Sequence, residues 1–190
     1  MSVEVIFETH SLTEDNERGI ATGWLGGRLS ENGKRLAKEL GDRRRNENLA
    51  AIFTSDLARA VETTTIAFGD GDIPILKDWR LRECNYGAMN GMPVAQLVDE
   101  RPLRIDTPFP EGESWRQAVE RHEWFLNDLA RRHDGERVLV IGHVSTWWAL
   151  DHFVAGEKLE ELVRNPHEWQ EGWSYELPTG TAPGHCANPS

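Results

Sequence analysis

The sequence has few cysteines and no long hydrophobic run. Only two cysteines, Cys84 and Cys186, occur in 190 residues, and their spacing matches no metal-binding pattern. Disulfide frameworks are typical of much smaller secreted domains, so we expect both thiols to be reduced. No apolar stretch approaches the ~18 residues of a membrane span, and the first residues lack the basic and apolar segments of a signal peptide. These absences predict a cytoplasmic protein that does not bind membranes.

Basic residues are also scarce. There are 21 Lys and Arg residues against 32 Asp and Glu, which gives a formal net charge of -11. A protein with this charge repels nucleic acid and anionic lipid, so we expect neither as a partner. A phosphorylated ligand would need a local cluster of positive charge or backbone donors. The length predicts one domain, placed at residues 1–177, followed by a small polar tail at 178–190.

Strand and helix patterns alternate along the chain. Short apolar runs predict strands at residues 3–9, 51–54, 73–76, 137–142 and 174–177. Helical spacing predicts helices that begin near Ser30, Ser55, Val94, Ser114 and Thr146. The longest opens with a capping box, Ser114-x-x-Gln117. Alternating β and α elements are typical of a largely parallel sheet with helices on both faces, and we therefore predict a three-layer α/β/α sandwich.

Two histidines each follow a predicted strand. His10 comes directly after the first strand, and His143 comes directly after the strand at 137–142. In open α/β sheets, ligands bind outside the carboxyl ends of the strands, so we expect both imidazoles to face one reacting group. Two further polar segments bring Arg59 and Glu83 to the same edge.

These four side chains suit phosphoryl transfer. An imidazole can attack phosphorus and hold the phosphoryl group covalently. A guanidinium matches phosphate oxygens bidentately, and Arg59 lies near a predicted helix N-terminus, which favours anions. A carboxylic acid such as Glu83 can protonate a leaving oxygen and later activate water. Each residue also has an ordinary structural alternative, as a strand-end histidine, a loop carboxylate or an exposed helix arginine.

Six motifs occur in an order that is typical of a known family. They are His10 with Asn16, Thr22-Gly23-Trp24, Leu29–Gly33, Ser55–Thr63, Leu81–Gly91, and a second histidine after a buried strand, His143. In this order the sequence resembles the histidine phosphatase superfamily, in its phosphoglycerate mutase-like branch, up to about residue 177. The resemblance implies a phosphoglycerate mutase-like fold, a phosphorylated small molecule as substrate, and neither a cofactor nor a metal.

The resemblance also implies roles for individual residues. His10 would be the nucleophile that becomes phosphohistidine, and Glu83 would donate and accept the proton. Arg59 and His143 would hold the phosphoryl oxygens. Further contacts to the phosphate or the substrate are implied for Thr9, Asn16, Thr22 and Gly23. Because phosphoryl transfer depends mostly on positioning and charge stabilisation, these donors matter as much as the nucleophile.

Three positions depart from the family pattern. Thr9 replaces the arginine before the nucleophile, Ser11 replaces the glycine after it, and Val144 replaces the glycine after the second histidine. Loss of one such donor typically costs ~3 kcal/mol of transition-state stabilisation, roughly a hundredfold in rate. We expect the fold to be unaffected and the activity to be low, unless Arg18 or Arg82 supplies the missing charge.

Several functions stay open at this stage. The leading hypothesis is a phosphatase that acts on a small phosphorylated metabolite or a phosphoprotein. A phosphoglycerate mutase is less favoured, because only Arg101 and Arg104 offer positive charge between residues 91 and 114. A degenerate member that binds an anion or a partner protein is a second class. A homodimer is compatible with each.

A metal enzyme is the remaining alternative. A two-histidine, one-carboxylate metal triad could be made of His10, His143 and Glu83. The βα pattern and the intact motif around Arg59 argue against a metal enzyme. His122 lies on the apolar stripe of the helix predicted from Ser114, so we expect it in the core.

Overall fold

A computed structural model describes residues 1–165 and 170–180. Within these ranges the strands are β1 (Ser2–Thr9), β2 (Ile20–Ala21), β3 (Ala51–Thr54), β4 (Ile75–Lys77), β5 (Met92–Pro93), β6 (Arg137–Gly142) and β7 (Trp173–Pro178). The helices are α1 (Glu14–Glu17), α2 (Glu31–Arg44), α3 (Ala58–Phe68), α4 (Val94–Glu100), α5 (Trp115–Arg132), α6 (Val144–Leu150) and α7 (Leu159–Leu162). Cys186 and residues 181–190 of the predicted tail lie outside the described residues.

Five strands form the central sheet, in the order β4-β3-β6-β1-β7. The first four are parallel to one another, and β7 pairs antiparallel with β1. The sheet is therefore largely parallel, as the alternating pattern predicts. Parallel pairing brings the carboxyl ends of β1, β3 and β6 to one edge of the sheet. Strands β2 and β5 form a separate two-stranded ribbon.

Helices cover both faces of the sheet. On one face, α5 and α6 pack on Val5, Phe7 and Val140. On the other face, α2 and α3 pack on Ile52 and Ile141. The central strands β3 and β6 are largely buried on both faces, which is why their segments read as short apolar runs. The predicted three-layer α/β/α architecture is confirmed.

Two of the predicted helix starts show the expected capping chemistry, and one does not. Ser30 caps α2 by accepting a hydrogen bond from the Gly33 amide, and Ser114 and Gln117 form the predicted capping box at α5. The prediction that Ser55 caps the next helix is wrong. Its hydroxyl accepts a hydrogen bond from the Leu57 amide at 3.2 Å, and α3 begins only at Ala58.

The sixth helix starts earlier than its pattern predicts. It begins at Val144 rather than Thr146, directly after His143, and continues as a π-helical turn from Asp151 to Ala155. None of the helices within the described ranges is long and apolar enough to cross a membrane.

Candidate active site

A cavity of about 460 Å³ lies at the carboxyl ends of β1, β3 and β6. Its wall contains all eight residues that the sequence predicts for the site: Thr9, His10, Asn16, Thr22, Gly23, Arg59, Glu83 and His143. Volumes of roughly 300–1,000 Å³ are typical of small-molecule sites. The strand ends and the loops thus bring the predicted residues together in one pocket of suitable size.

A buried guanidinium lies against both histidines. Arg59, in the first turn of α3 and 3% exposed, donates from Nε to His10 Nε2 at 3.2 Å. Its Nη2 is 3.3 Å from His143 Nδ1 and donates to the Gly23 carbonyl at 2.9 Å. The two imidazole centroids are 5.0 Å apart. One cation therefore holds both rings at the same end of the cavity.

The His10 ring is fixed in the tautomer that a nucleophile requires. Its Nδ1 lies 2.8 Å from the Ser11 carbonyl oxygen, which can only accept, so Nδ1 carries the proton and Nε2 keeps a lone pair. The His10 amide donates to the Gly142 carbonyl at 2.9 Å, which ties the residue to the end of β6. Burial and the charge of Arg59 lower the pKa of His10 to about 3. The ring is therefore neutral at physiological pH.

His143 presents a donor that lacks a partner. Because Nδ1 accepts from Arg59, the neutral ring carries its proton on Nε2. That nitrogen is buried and has no hydrogen-bond partner among the described residues. Burial and Arg59 hold the pKa of His143 well below its usual value. An unpartnered buried N–H costs free energy, which a ligand oxygen in the cavity would recover.

Glu83 is held rigidly at the cavity wall. It is 7% exposed, and its Oε1 accepts backbone N–H groups from Cys84 at 2.9 Å and Ser145 at 3.2 Å. The Glu83 carbonyl accepts from Trp24 Nε1 at 2.6 Å and from Arg121 Nη2 at 3.3 Å. Within the described residues, no hydrogen bond involves Oε2. The carboxylate therefore has one oxygen left for a proton or a water.

Asn16 and Thr22 line the cavity but already hold local partners. Asn16 Oδ1 accepts the Thr13 amide at 3.1 Å and so completes the capping box of α1. The Thr22 hydroxyl donates to Asp15 Oδ2 at 2.9 Å. Asn16 keeps its Nδ2 donors for a ligand, whereas Thr22 would have to exchange its partner.

Gly23 lines the cavity and positions the arginine. Its φ of +57° favours glycine, and a Cβ there would overlap the Asn90 side-chain oxygen. Asn90 Oδ1 accepts the Trp24 amide at 3.1 Å, which fixes this turn. The Gly23 carbonyl then receives the hydrogen bond from Arg59.

Comparison with known protein families matches residues 5–174 to the histidine phosphatase superfamily (branch 1). The chain belongs to this superfamily. The resemblance seen in the sequence is thereby confirmed for the family and for the fold.

Relatives of this histidine phosphatase superfamily member include mutases and phosphatases. A phosphoglycerate mutase of Candida albicans is 36% identical over 101 residues, which are 50% of this chain and 41% of the relative. Phosphoserine phosphatase 1 of Hydrogenobacter thermophilus is 29% identical over 74% of this chain and 71% of its own. The structure of Bacillus stearothermophilus YhfR aligns with a TM-score of 0.80 at 25% identity, covering 96% of this chain and all of that one.

Neither arginine considered as a substitute for the missing family arginine reaches the cavity. Arg82 forms two hydrogen bonds of 2.7 Å with Asp56 and stacks on Trp24 at 4.6 Å. Arg18 is mostly exposed and pairs with Asp15 at 2.9 Å. Neither lines the cavity, so the possibility that one of them supplies the charge absent at Thr9 is not realised in this structure.

The other departures fit the fold. The Ser11 hydroxyl donates to the Gly33 carbonyl at 2.7 Å, and its amide donates to Thr63 Oγ1 at 2.9 Å. Val144 is half-buried in the cavity wall, where it adds apolar surface. Both replacements are therefore compatible with the hydrogen bonds and the packing around His10.

The metal alternative does not agree with the geometry. The described residues hold no group of three His, Cys, Asp or Glu side chains arranged to bind a metal. The Arg59 guanidinium also lies against the nitrogens of His10 and His143, where it would repel a divalent cation. This contact therefore disfavours a cation between the two histidines.

The sequence pattern does not predict two supporting residues, Arg121 and Thr146. Arg121 is 4% exposed and binds Glu113 and the carbonyls of the segment that carries Glu83. It lies within the apolar stripe of α5, and an arginine in such a stripe is a signal of a buried structural cation. Thr146 carries no comparable signal, because its role depends on contacts with a distant helix.

Proposed function

We propose that the protein hydrolyses a small phosphomonoester through a phosphohistidine formed on His10. The observation that carries this proposal is the convergence of three groups in one cavity: the His10 Nε2 lone pair, the Arg59 guanidinium and the unpartnered His143 Nε2–H. Phosphoryl transfer needs a lone pair that can attack phosphorus, placed beside hydrogen-bond donors for the phosphoryl oxygens.

The first step forms the phosphohistidine. Arg59 and the Nε2–H of His143 bind the phosphoryl oxygens, and Arg59 exchanges its hydrogen bond with His10 Nε2 for one with the substrate. The freed lone pair attacks phosphorus, the N–P bond forms and the bond to the leaving oxygen breaks. Glu83 in its acid form gives its proton to that oxygen.

The second step restores the enzyme. Glu83, now a carboxylate, accepts a proton from a water molecule, whose oxygen attacks phosphorus as the N–P bond breaks. Inorganic phosphate leaves, and His10 regains its lone pair. The acid and the base are thus the same carboxyl group in successive steps. Oε2 of Glu83, which has no hydrogen bond within the described residues, supports its use first as the acid and then as the base.

A mutase is the second candidate, because one observation favours it. Arg101 lines the cavity and stacks on Trp148 at 5.4 Å, and its Nε is buried without a hydrogen-bond partner among the described residues. Such a cation suits a substrate with a carboxylate besides its phosphate. A mutase returns the phosphoryl group to the substrate rather than to water, so an assay of 2- to 3-phosphoglycerate interconversion separates the two reactions.

The test of hydrolysis is turnover of p-nitrophenyl phosphate between pH 5 and 8. We expect phosphate release by the wild-type protein and a loss of roughly a thousandfold or more in kcat for His10→Ala, because the nucleophile is removed. His152→Ala is the matched control, since His152 lies outside the cavity wall, and should retain full activity. Equal turnover by wild type and His10→Ala would exclude the proposed mechanism. The cytoplasmic location, the absence of nucleic-acid and membrane partners, and the homodimer remain predictions.

A further inference from the structure

A buried chain of hydrogen bonds links α5 to the backbone of His143. His122 Nδ1 lies 2.7 Å from the Ala118 carbonyl oxygen, and His122 Nε2 lies 3.0 Å from Thr146 Oγ1. The same threonine oxygen accepts the His143 amide at 3.1 Å. His122, Thr146 and His143 are each at most 3% exposed. The chain therefore runs through the protein interior, next to the proposed phosphate site.

The direction of this chain is fixed. A carbonyl only accepts, so His122 carries its proton on Nδ1 and offers a lone pair at Nε2. The Thr146 hydroxyl must then donate to His122, which leaves its own lone pairs for the His143 N–H. Burial and the charge of Arg121 lower the pKa of His122 to about 3. His122 therefore stays neutral, and the hydrogen bonds keep this direction across the pH range in which the protein would act.

The glycine at residue 142 leaves room for the Thr146 hydroxyl. A Cβ at residue 142 would overlap Thr146 Oγ1, so Gly142 lets the hydroxyl approach the end of β6. The alternative acceptor for the hydroxyl, the Leu81 carbonyl, is at 3.4 Å, a long distance for such a bond. His122 is therefore the better partner of the threonine.

The His143 ring depends on its backbone for its position. Its hydrogen bond with Arg59 is long, at 3.3 Å, and Nε2 has no partner among the described residues. Because this side-chain contact is long, the position of the ring also depends on the orientation of its Cα–Cβ bond. Misplacing a group by ~1 Å can cost about a hundredfold in rate, so an anchor on the His143 amide has a functional consequence.

We propose that Thr146 and His122 are positioning residues that orient the His143 backbone and thereby aim its Nε2–H at the phosphoryl oxygen. This inference rests on the proposed function for the identity of that oxygen. Neither residue touches the substrate, and each acts only through His143.

The test compares variants that keep or remove the hydroxyl. Thr146→Val preserves the shape and should lower kcat for p-nitrophenyl phosphate about tenfold, with KM changed less than about twofold, because the donor is misaimed in the transition state. Thr146→Ser retains the hydroxyl and should restore kcat to within about twofold. His122→Phe should give a loss similar to that of Thr146→Val. The double variant should lose no more than either alone, since the residues act as one chain.

A second readout needs no turnover. In protein with ¹⁵N-labelled histidine, the imidazole resonances of His143 should shift in Thr146→Val and return towards wild type in Thr146→Ser. If the wild-type protein released no phosphate but these shifts appeared, the proposed function alone would fail. Valine and serine variants with equal kcat and equal His143 resonances would overturn the inference. Additive losses in the double variant would do so as well.

Discussion

Thr9 is one of the three positions at which the sequence departs from the family pattern that it resembles. It is half-buried at the end of β1 and lines the cavity beside His10. Among the described residues, Arg59 supplies the only guanidinium hydrogen-bonded to His10. Arg82 is held by Asp56. His10 thus has one guanidinium partner, without the second that the family pattern would place at residue 9.

Restoring the family residue should therefore raise activity. We expect Thr9→Arg to increase kcat/KM for p-nitrophenyl phosphate about tenfold or more, because one additional charged donor is typically worth ~3 kcal/mol in a transition state. Thr9→Met is the control for side-chain length without charge and should give no increase. The measurement is a steady-state comparison of the three proteins. Equal rates for the arginine and methionine variants would show that charge at this position does not limit the reaction.

At the scale of elements, the contact between α2 and α3 depends on Gly41. A Cβ there would overlap the Ala67 carbonyl oxygen, which belongs to the backbone of α3. Glycine inside a helix costs about 1 kcal/mol relative to alanine. The close approach of the two helices explains why residue 41 is nevertheless a glycine. These helices carry Arg59 and cover one face of the sheet.

Filling this contact should destabilise the protein despite the better helix propensity. We expect Gly41→Ala to lower the free energy of unfolding by about 1–3 kcal/mol, the usual effect of overpacking. Gly71→Ala is the matched control, because its Cβ would meet only the Phe68 carbonyl oxygen, at an ordinary 3.5 Å. Urea denaturation of the three proteins measures the difference. A Gly41→Ala protein as stable as Gly71→Ala would contradict the packing interpretation.

The elements that the sequence predicts well are those with strong local signals. β3 and β6 are short apolar runs, β1 has an apolar centre, and α5 has a capping box and an apolar stripe. The pair β2 and β5 has two residues in each strand, which is too short for any periodicity. The order of strands in the sheet depends on contacts between distant segments, which one sequence does not display.

The same distinction holds in the site. The motifs place His10 and Glu83 at strand ends and loops, and both line the cavity. They do not predict Arg121 or the link from His122 to Thr146, because these residues act through backbone groups of other segments. The apolar stripe of α5 does predict the burial of His122, which is 1% exposed. Its hydrogen bonds, rather than its burial, distinguish it.

For the whole molecule, buried neutral histidines connect the site to stability. Burial, together with a neighbouring arginine, lowers the pKa of His10 and of His122 to about 3, and it lowers the pKa of His143 well below the usual value. In the unfolded chain a histidine titrates near ~6.5. Between these pH values the unfolded state binds more protons than the folded state, so the free energy of unfolding falls as the pH falls below 6.5.

This linkage gives a measurable pH dependence. From pH 7 to pH 5, His10 and His122 should each remove about 2 kcal/mol from the free energy of unfolding, and above pH 7 they should contribute no further change. His122→Phe should reduce the loss between pH 7 and 5 by about 2 kcal/mol, since one titrating group of the unfolded chain is gone. Urea titrations at several pH values provide the data. An unchanged pH dependence in His122→Phe would show that His122 takes up its proton in the folded protein over the same pH range as in the unfolded chain.

The most direct test of the central claim is a rapid-quench experiment with ³²P-labelled p-nitrophenyl phosphate. The phosphohistidine mechanism predicts protein-bound phosphate that is labile in acid, stable in base, located on His10 and absent from His10→Ala. The label should accumulate in Glu83→Gln, because p-nitrophenolate leaves without a proton whereas the attack of water needs the base. Release of phosphate with no label on the protein, or with label on another residue, would contradict the account.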